Sequence, residues 1–277
     1  MATILLIDTS ADVFSVAISC LDGPSCALGE SPVILAEVTG TEPRTQSAML
    51  MPAVDECLRK AGLSPKDLDA VCVSKGPGSY TGLRVGVSTA KGLCMGLGIP
   101  LIAIGTLELL FAQALPEAGD CKYIIPMIDA RRMEVYSAVF SIDGTMVREI
   151  RPEIVEPGIY DEYLSAGPVL FTGDGALKCR DILVPEGTDP SVRYAPSELS
   201  FPDVPSGPLP LTRPRAAMPS EGSVPSGTRI LPLNPSAKAM AGEAAKAFDE
   251  KRFEDLAYFE PFYLKDFVAK LPSRKLF

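Results

Sequence analysis

Residues 4–19 have the sequence ILLIDTSADVFSVAIS, and this stretch decides the fold. Its first four residues are all apolar, which is typical of a strand buried on both faces. Residues 13–19 are rich in strand formers, a turn is expected at 22–24, and a third strand is expected at 33–38. Three strands with short connections predict an antiparallel meander.

The spacing of apolar residues then changes to that of a helix. Helices are expected at 45–61 and 81–97, strands at 70–74 and 100–104, and a further helix at 107–115. The resulting order is strand–strand–strand–helix–strand–helix–strand. It is the order of a ribonuclease-H-like mixed sheet, whereas a Rossmann unit would place a helix directly after its first strand.

The second half of the chain repeats this opening. Apolar residues at 124–129 again end in an aspartate, and strand-forming segments follow at 135–140 and 169–172. Chance similarity of two hairpins is the alternative to an internal duplication. We expect an α/β fold with two related lobes that face a cleft, an N-terminal ribonuclease-H-like lobe at 1–105 and a C-terminal lobe at 106–277.

A proline-rich segment interrupts the second lobe. Ten of the forty residues at 196–235 are proline, mixed with serine and glycine. Such a composition is typical of an extended, mobile insertion without a packed element. A late, alanine-rich helix is expected at 236–248.

The composition excludes several kinds of site. The formal net charge is −9, which disfavours a tight grip on a polyanion because phosphate contacts need clustered Lys and Arg. The chain has no His, so Ser-His-Asp and Cys-His relays and His-ligated metals are excluded. The seven cysteines include no C-x-x-C pair, and we expect no metal site.

The same composition predicts a cytoplasmic protein. Scattered cysteines within apolar runs are typical of buried free thiols in a reducing compartment. The N-terminus lacks the basic region of a signal peptide. The uncharged stretch at 92–107 is interrupted by Pro100 and is too short to span a membrane.

The segment SKGPGSYTGLR, at 74–84, joins a predicted strand to a predicted helix. The start of a helix leaves N–H groups unpaired, so this junction is a candidate anion site, although Leu83 excludes a Walker A loop. The alternative is structural: Gly76 and Gly78 allow a tight turn while Ser79 or Thr81 caps the helix.

Asp8 ends the first strand, where an aspartate of ATP-handling two-lobed proteins helps to place a metal and phosphate. The hairpin that follows it contains no glycine, and the second lobe offers only Gly173-Asp174-Gly175. We therefore expect a degraded nucleotide or anion cleft, with a turn-stabilising role for Asp8 as the alternative. Its candidate residues are Asp8, Gly76, Gly78, Ser79, Thr81, Asp129 and Gly173.

Small residues recur along the second helix. Gly82, Gly86 and Ala90 form one ridge at four-residue spacing, and Ser88, Gly92 and Gly96 form a neighbouring ridge. Glycine inside a helix costs about 1 kcal/mol per position, which close approach of another helix can offset. That helix belongs either to this chain or to a partner. The candidate partner residues are Met49, Ala53, Leu83, Gly86, Val87 and Ala90.

Four segments together resemble the TsaB (YeaZ) family: LLIDTS at 5–10, GPGSYTGLRVG at 76–86, IDARRMEVY at 128–136 and EPFYLKD at 260–266. The resemblance implies the two-lobed actin, Hsp70 and sugar-kinase (ASKHA) fold. It implies a role in making N6-threonylcarbamoyladenosine (t6A) at position 37 of tRNAs that read ANN codons.

Within that family, the resemblance implies a non-catalytic dimerisation subunit. Its partner is the transferase TsaD, with the ATPase TsaE joining in a larger complex, and a homodimer is expected when TsaD is absent. tRNA contacts would be indirect. No cofactor would be held tightly by this chain alone, and ATP or ADP would bind at the complex interface.

One position departs from the family pattern. Gln46 stands where family members commonly carry His, so no shared His-dependent chemistry is expected. The alternative function is a stand-alone ATP-dependent kinase or acyltransferase of the same fold. A protease has little support, because no spacing marks a Lys-type base for a nucleophile.

Overall fold

A computed structural model describes residues 2–21, 32–40, 42–131, 133–184 and 224–264. The turn expected at 22–24 and most of the proline-rich segment lie outside these residues. The chain divides into two compact units: unit 1 comprises Met1–Thr106 and Ser236–Phe277, and unit 2 comprises Leu107–Pro235. No helix within the described ranges is both long enough and apolar enough to cross a bilayer.

Unit 1 is built on the expected mixed sheet. Its strands are β1 (Thr3–Asp8), β2 (Ser15–Cys20), β3 (Val33–Thr39), β4 (Ala70–Gly76) and β5 (Leu101–Gly105), in the spatial order β3-β2-β1-β4-β5. The pairs β1–β2 and β2–β3 are antiparallel, whereas β1–β4 and β4–β5 are parallel. The antiparallel meander with parallel crossovers is confirmed, and β1 lies at the centre of the sheet.

Two helices cover one face of this sheet, α1 (Gln46–Ala61) and α2 (Tyr80–Leu97). Each ends at a glycine with φ of +70°, Gly62 or Gly98, a conformation that glycine adopts without strain. Leu50 of α1, Val87 of α2 and Leu5 of β1 belong to one hydrophobic core. Because α1 and α2 pack on the same face, their outward sides lie on the same side of unit 1.

Unit 2 repeats this topology. It begins with α3 (Thr106–Ala114), whose first residue belongs to unit 1. The other elements are β6 (Tyr123–Asp129), β7 (Glu134–Ser141), β8 (Met146–Ile154), α4 (Asp161–Ala166), β9 (Val169–Thr172), α5 (Asp174–Lys178), α6 (Arg180–Leu183) and β10 (Arg229–Leu231). Their spatial order is β8-β7-β6-β9-β10, which matches the order β3-β2-β1-β4-β5 of unit 1 strand for strand. This match supports the internal duplication.

The expectation that 196–235 contains no packed element is wrong at its end. β10 lies in this range and pairs parallel with β9, from Arg229 opposite Leu170 to Leu231 opposite Thr172. Ile230 and Leu231 are buried. The nearest prolines, Pro225 and Pro232, flank this strand and leave its ladder hydrogen bonds intact.

The expected lobe boundary is also wrong, because the chain after Ser236 returns to unit 1. The helix predicted at 236–248 is a 3₁₀ turn, Ala237–Met240, followed by α7 (Ala241–Asp249). The N–H of Ala237 donates to Ser15 Oγ at 2.8 Å, and Cys72 Sγ lies 3.8 Å from Met240 Sδ. Buried alanines of α7 pack on the sheet face opposite α1 and α2, which local sequence patterns could not reveal.

Candidate functional site

The junction between β4 and α2 has the geometry of a capped, tight turn. Gly76 has φ of +108° and precedes Pro77 through a cis peptide bond. Ser79 is the N-cap, since its Oγ accepts a hydrogen bond from the Gly82 N–H at 3.3 Å. Thr81 is exposed on the first turn and is not the cap. The structural alternative for this segment is confirmed, with Ser79 as the capping residue.

Glycines at this junction allow close packing on the end of β1. The Ser79 N–H donates to the Ser10 carbonyl at 2.7 Å. A Cβ atom on Gly78 would lie 2.3 Å from the Ser10 oxygen, and one on Gly82 would lie 2.1 Å from the Thr9 oxygen. These positions therefore have a packing role within unit 1. Anion binding at the same junction stays a prediction.

Asp8 stabilises the turn that follows β1. Its carboxyl is fully buried, and Oδ1 accepts hydrogen bonds from the Ser10 hydroxyl at 2.7 Å and the Ser10 N–H at 3.3 Å. Burial raises the pKa of this carboxyl, and the nearby hydroxyl groups of Ser74 and Ser10 oppose the rise. Oδ2 has no hydrogen-bond partner among the described residues. The turn-stabilising role of Asp8 is confirmed.

The equivalent position of unit 2, Asp129, differs from Asp8 in its exposure and in its partners. Asp129 is half-exposed, and its Oδ1 accepts from the Arg131 N–H at 2.7 Å and forms an ion pair with Lys178. The Asp129 N–H donates to Asp174 Oδ1 at 3.0 Å, and burial raises the pKa of Asp174. Lys178 was not predicted as a site residue. Its pairing with an aspartate 49 positions earlier leaves no local signal in the sequence.

Gly173 is also a packing position. It has φ of +99°, and a Cβ atom there would lie 2.1 Å from the Met127 carbonyl oxygen. Gly175, two residues later, approaches the backbone of Met127 and Ile128 in the same way. α5 thus meets the end of β6 as α2 meets the end of β1, and the nucleotide role of Gly173 stays a prediction.

The expected partner surface is largely wrong. Within the first ridge, Gly86 is packed on the chain itself, since a Cβ atom there would lie 2.1 Å from Thr9 Oγ1. The physical reason is that this ridge lies on the sheet-facing side of α2. Met49 alone is exposed among the six candidates, at 48%. The five buried candidates are Ala53, Leu83, Gly86, Val87 and Ala90.

The second ridge of small residues faces outward. A Cβ atom on Gly92 or Gly96 would meet no atom within 4 Å, and Met95 beside them is 80% exposed. On the adjacent helix α1, two methionines are also exposed. We call the exposed residues of these two neighbouring helices the outer face, and they are Met49, Met51, Ser88, Gly92, Met95 and Gly96.

A C-terminal strap, residues 259–263, borders the outer face. The Phe262 N–H donates to the Lys75 carbonyl at 2.7 Å, and Lys91 Nζ donates to the Phe259 carbonyl at 2.9 Å. The strap and α2 line an open groove of about 400 Å³, and Ser88 is among its lining residues. The segment 260–266 carries part of the family resemblance, and residues 265–266 of it lie outside the described residues.

Gln46 joins the start of α1 to the hairpin after β1. It is buried, and its Nε2 donates to the carbonyls of Asp12 at 2.8 Å and Ala11 at 3.1 Å. This amide therefore has a structural function at the position where the sequence departs from the family pattern.

Comparisons with known proteins identify close relatives. Residues 34–158 match the family described as TsaD, tRNA N6-adenosine threonylcarbamoyltransferase. The tRNA threonylcarbamoyladenosine biosynthesis protein TsaB of Bacillus subtilis is 35% identical over 72% of this chain and 86% of its own length. Its counterpart in Haemophilus influenzae is 37% identical over 48% of this chain and 52% of its own length.

A solved structure supports the fold. YeaZ from Pseudomonas aeruginosa superimposes with a TM-score of 0.66 at 21% identity, over 95% of this chain and 100% of that one. The shared architecture is the two-unit ASKHA fold, with one ribonuclease-H-like sheet in each unit.

Proposed function

The chain belongs to the TsaB family, and from this premise we propose that it acts in the biosynthesis of tRNA threonylcarbamoyladenosine. The support is its 35% identity over 86% of the Bacillus subtilis relative, whose name states that role. The proposed product is t6A at position 37 of tRNAs that read ANN codons, made in the cytoplasm.

We propose further that the chain is a non-catalytic subunit that docks on TsaD. The carboxyl of Asp8 is buried and stabilises a turn, and that of Asp129 forms an ion pair with Lys178. These contacts favour a non-catalytic role over nucleotide chemistry. TsaE would join the TsaD complex, ATP or ADP would bind at a subunit interface, and TsaD would make most of the tRNA contacts.

The outer face is the proposed docking surface, and its exposure is the observation that carries this proposal. Small residues at Ser88, Gly92 and Gly96 let a facing helix approach closely, and exposed methionines adapt to its surface. An exposed apolar surface of this kind is typical of protein interfaces. In the absence of TsaD, the same face would pair two copies of this chain.

Substitution of Gly92 tests this surface. Gly92→Leu should weaken complex formation with TsaD by roughly 10-fold or more, because the added side chain blocks close helix approach. The matched control is Gly242→Leu on α7, where a Cβ atom also meets no atom within 4 Å. Affinity is measured by calorimetry with purified TsaD from the same organism. Equal binding of TsaD by the two variants would contradict the assigned surface.

A further inference from the structure

We propose that the groove between α2 and the C-terminal strap receives an acidic side chain of the partner subunit. This contact would make the outer face select an acidic partner over a second copy of this chain. The inference rests on the proposed function and adds to it the chemistry by which the partner is recognised.

α2 carries charge of one sign only. Its charged residues are Arg84 and Lys91, seven positions apart and therefore two turns apart on the same side, about 10 Å along the axis. Neither cation takes part in an ion pair within the part of the chain that the structure describes. Both line the groove.

Arg84 is held in place for binding. Its guanidinium lies 4.4 Å from the centroid of the Tyr80 ring, and its Nε donates to Tyr263 Oη at 3.3 Å. Among the described residues, its terminal Nη atoms make no hydrogen bond. A guanidinium fixed through Nε presents these atoms as a fork that fits a carboxylate. Such prior ordering lowers the entropy lost on binding.

The charge of the groove suits a single carboxylate. Glu260 also lines it, without an ion pair to Arg84 in the described structure, and it leaves the groove with a net charge of +1. An RNA backbone needs several clustered cations, and the chain as a whole carries −9. One acidic side chain from a protein partner matches the groove better than a run of phosphates.

The groove is continuous with the outer face, because Ser88 belongs to both. A helix docked along α2 would therefore pass Arg84 and Lys91. In a two-fold pair of identical chains, the same surface patch lies on both sides of the interface. An interface between two copies would then gather the net charge of +1 from each groove, which disfavours that pair relative to an acidic partner.

The test uses the full chain and TsaD from the same organism, with the dissociation constant measured at 50 mM and 300 mM NaCl. Arg84→Gln should weaken binding on the order of 30-fold at low salt, since it leaves the buried carboxylate of the partner unpaired. Tyr263→Phe, which keeps the charge but removes the acceptor for Nε, should weaken it several-fold. Lys246→Gln, at an exposed lysine of α7, is the charge-matched control and should bind like the parent.

Salt provides a second measurement. Added salt should weaken TsaD binding and strengthen self-association of the parent chain in analytical ultracentrifugation, because screening reduces attraction in one pair and repulsion in the other. Unchanged TsaD binding by Arg84→Gln, while Gly92→Leu loses it, would overturn this inference and leave the proposed function standing. Failure of the parent chain to bind TsaD would overturn both. Loss of tRNA affinity alone in Arg84→Gln would assign the groove to RNA and overturn the inference.

Discussion

At the scale of single residues, Asp8 lies at the end of the central strand and stabilises the turn that follows it. Its Oδ1 holds the turn through Ser10, whereas Oδ2 is buried without a hydrogen-bond partner among the described residues. A buried ionised carboxylate with such incomplete compensation costs stability.

Asp8→Asn should therefore raise the melting temperature at pH 8. Burial raises the pKa of Asp8 in the folded chain, so the folded state holds its proton to higher pH than the unfolded state. Stability is then lost as the pH rises from the ordinary carboxyl range through the folded pKa. Asn keeps an oxygen acceptor for Ser10 and cannot ionise. The gain in melting temperature should therefore shrink at pH 4, where the folded parent holds the Asp8 proton.

Thermal melts of the parent and the variant at both pH values measure this gain in melting temperature. Comparing the two proteins at the same pH also cancels the contribution of Asp174, which both contain. If the melting temperature of the variant minus that of the parent is smaller at pH 8 than at pH 4, the ionised form of Asp8 is favourable in the fold. The same two proteins should consume no ATP when alone. Turnover by the parent that Asp8→Asn abolishes would favour the kinase or acyltransferase alternative.

At the scale of elements, α2 is a helix with two ridges of small residues that have opposite uses. The inner ridge lets the helix meet the end of β1, where Gly86 lies against Thr9. The outer ridge leaves Gly92 and Gly96 open to the outside. The same residue type at the same spacing thus serves internal packing on one face and a docking surface on the other.

Two alanine substitutions should separate these uses. Gly86→Ala should destabilise the fold by roughly 1–3 kcal/mol, because its Cβ would lie 2.1 Å from Thr9 Oγ1. Gly92→Ala should stabilise it by about 1 kcal/mol, because alanine is the better helix former and the added methyl group meets no atom. Urea denaturation measures both, and effects of the same sign would contradict the assignment of the two ridges.

At the scale of the whole molecule, the cysteines report on the integrity of the two units. Six are buried: Cys20, Cys57, Cys72, Cys94, Cys121 and Cys179. Burial raises the pKa of Cys57 and of Cys94 to about 11, so little thiolate is present at neutral pH. The seventh, Cys26, lies outside the described residues.

Thiol labelling at pH 7.5 should accordingly modify at most one cysteine quickly in the folded chain, and all seven in denaturant. The slow reactions should follow unfolding, because a thiol in a core reacts only when the core opens. Mass spectrometry counts the labels at each time. Rapid labelling of two or more thiols in the native chain would contradict the packing described here.

The sequence by itself determined the order of the elements, the mixed sheets, the duplication and the family, because apolar spacing and turn residues are local signals. It also predicted the cap at Ser79 and the turn at Asp8, since their partners are near in the chain. Only the tertiary structure decided which ridge of α2 faces inward, because the contact that fills the inner ridge comes from Thr9, 77 positions before Gly86. Only the tertiary structure also shows that the chain after Ser236 belongs to unit 1 and that the strap lies beside Arg84. Contacts between distant segments depend on how the whole chain packs, so the local sequence of either segment does not predict them.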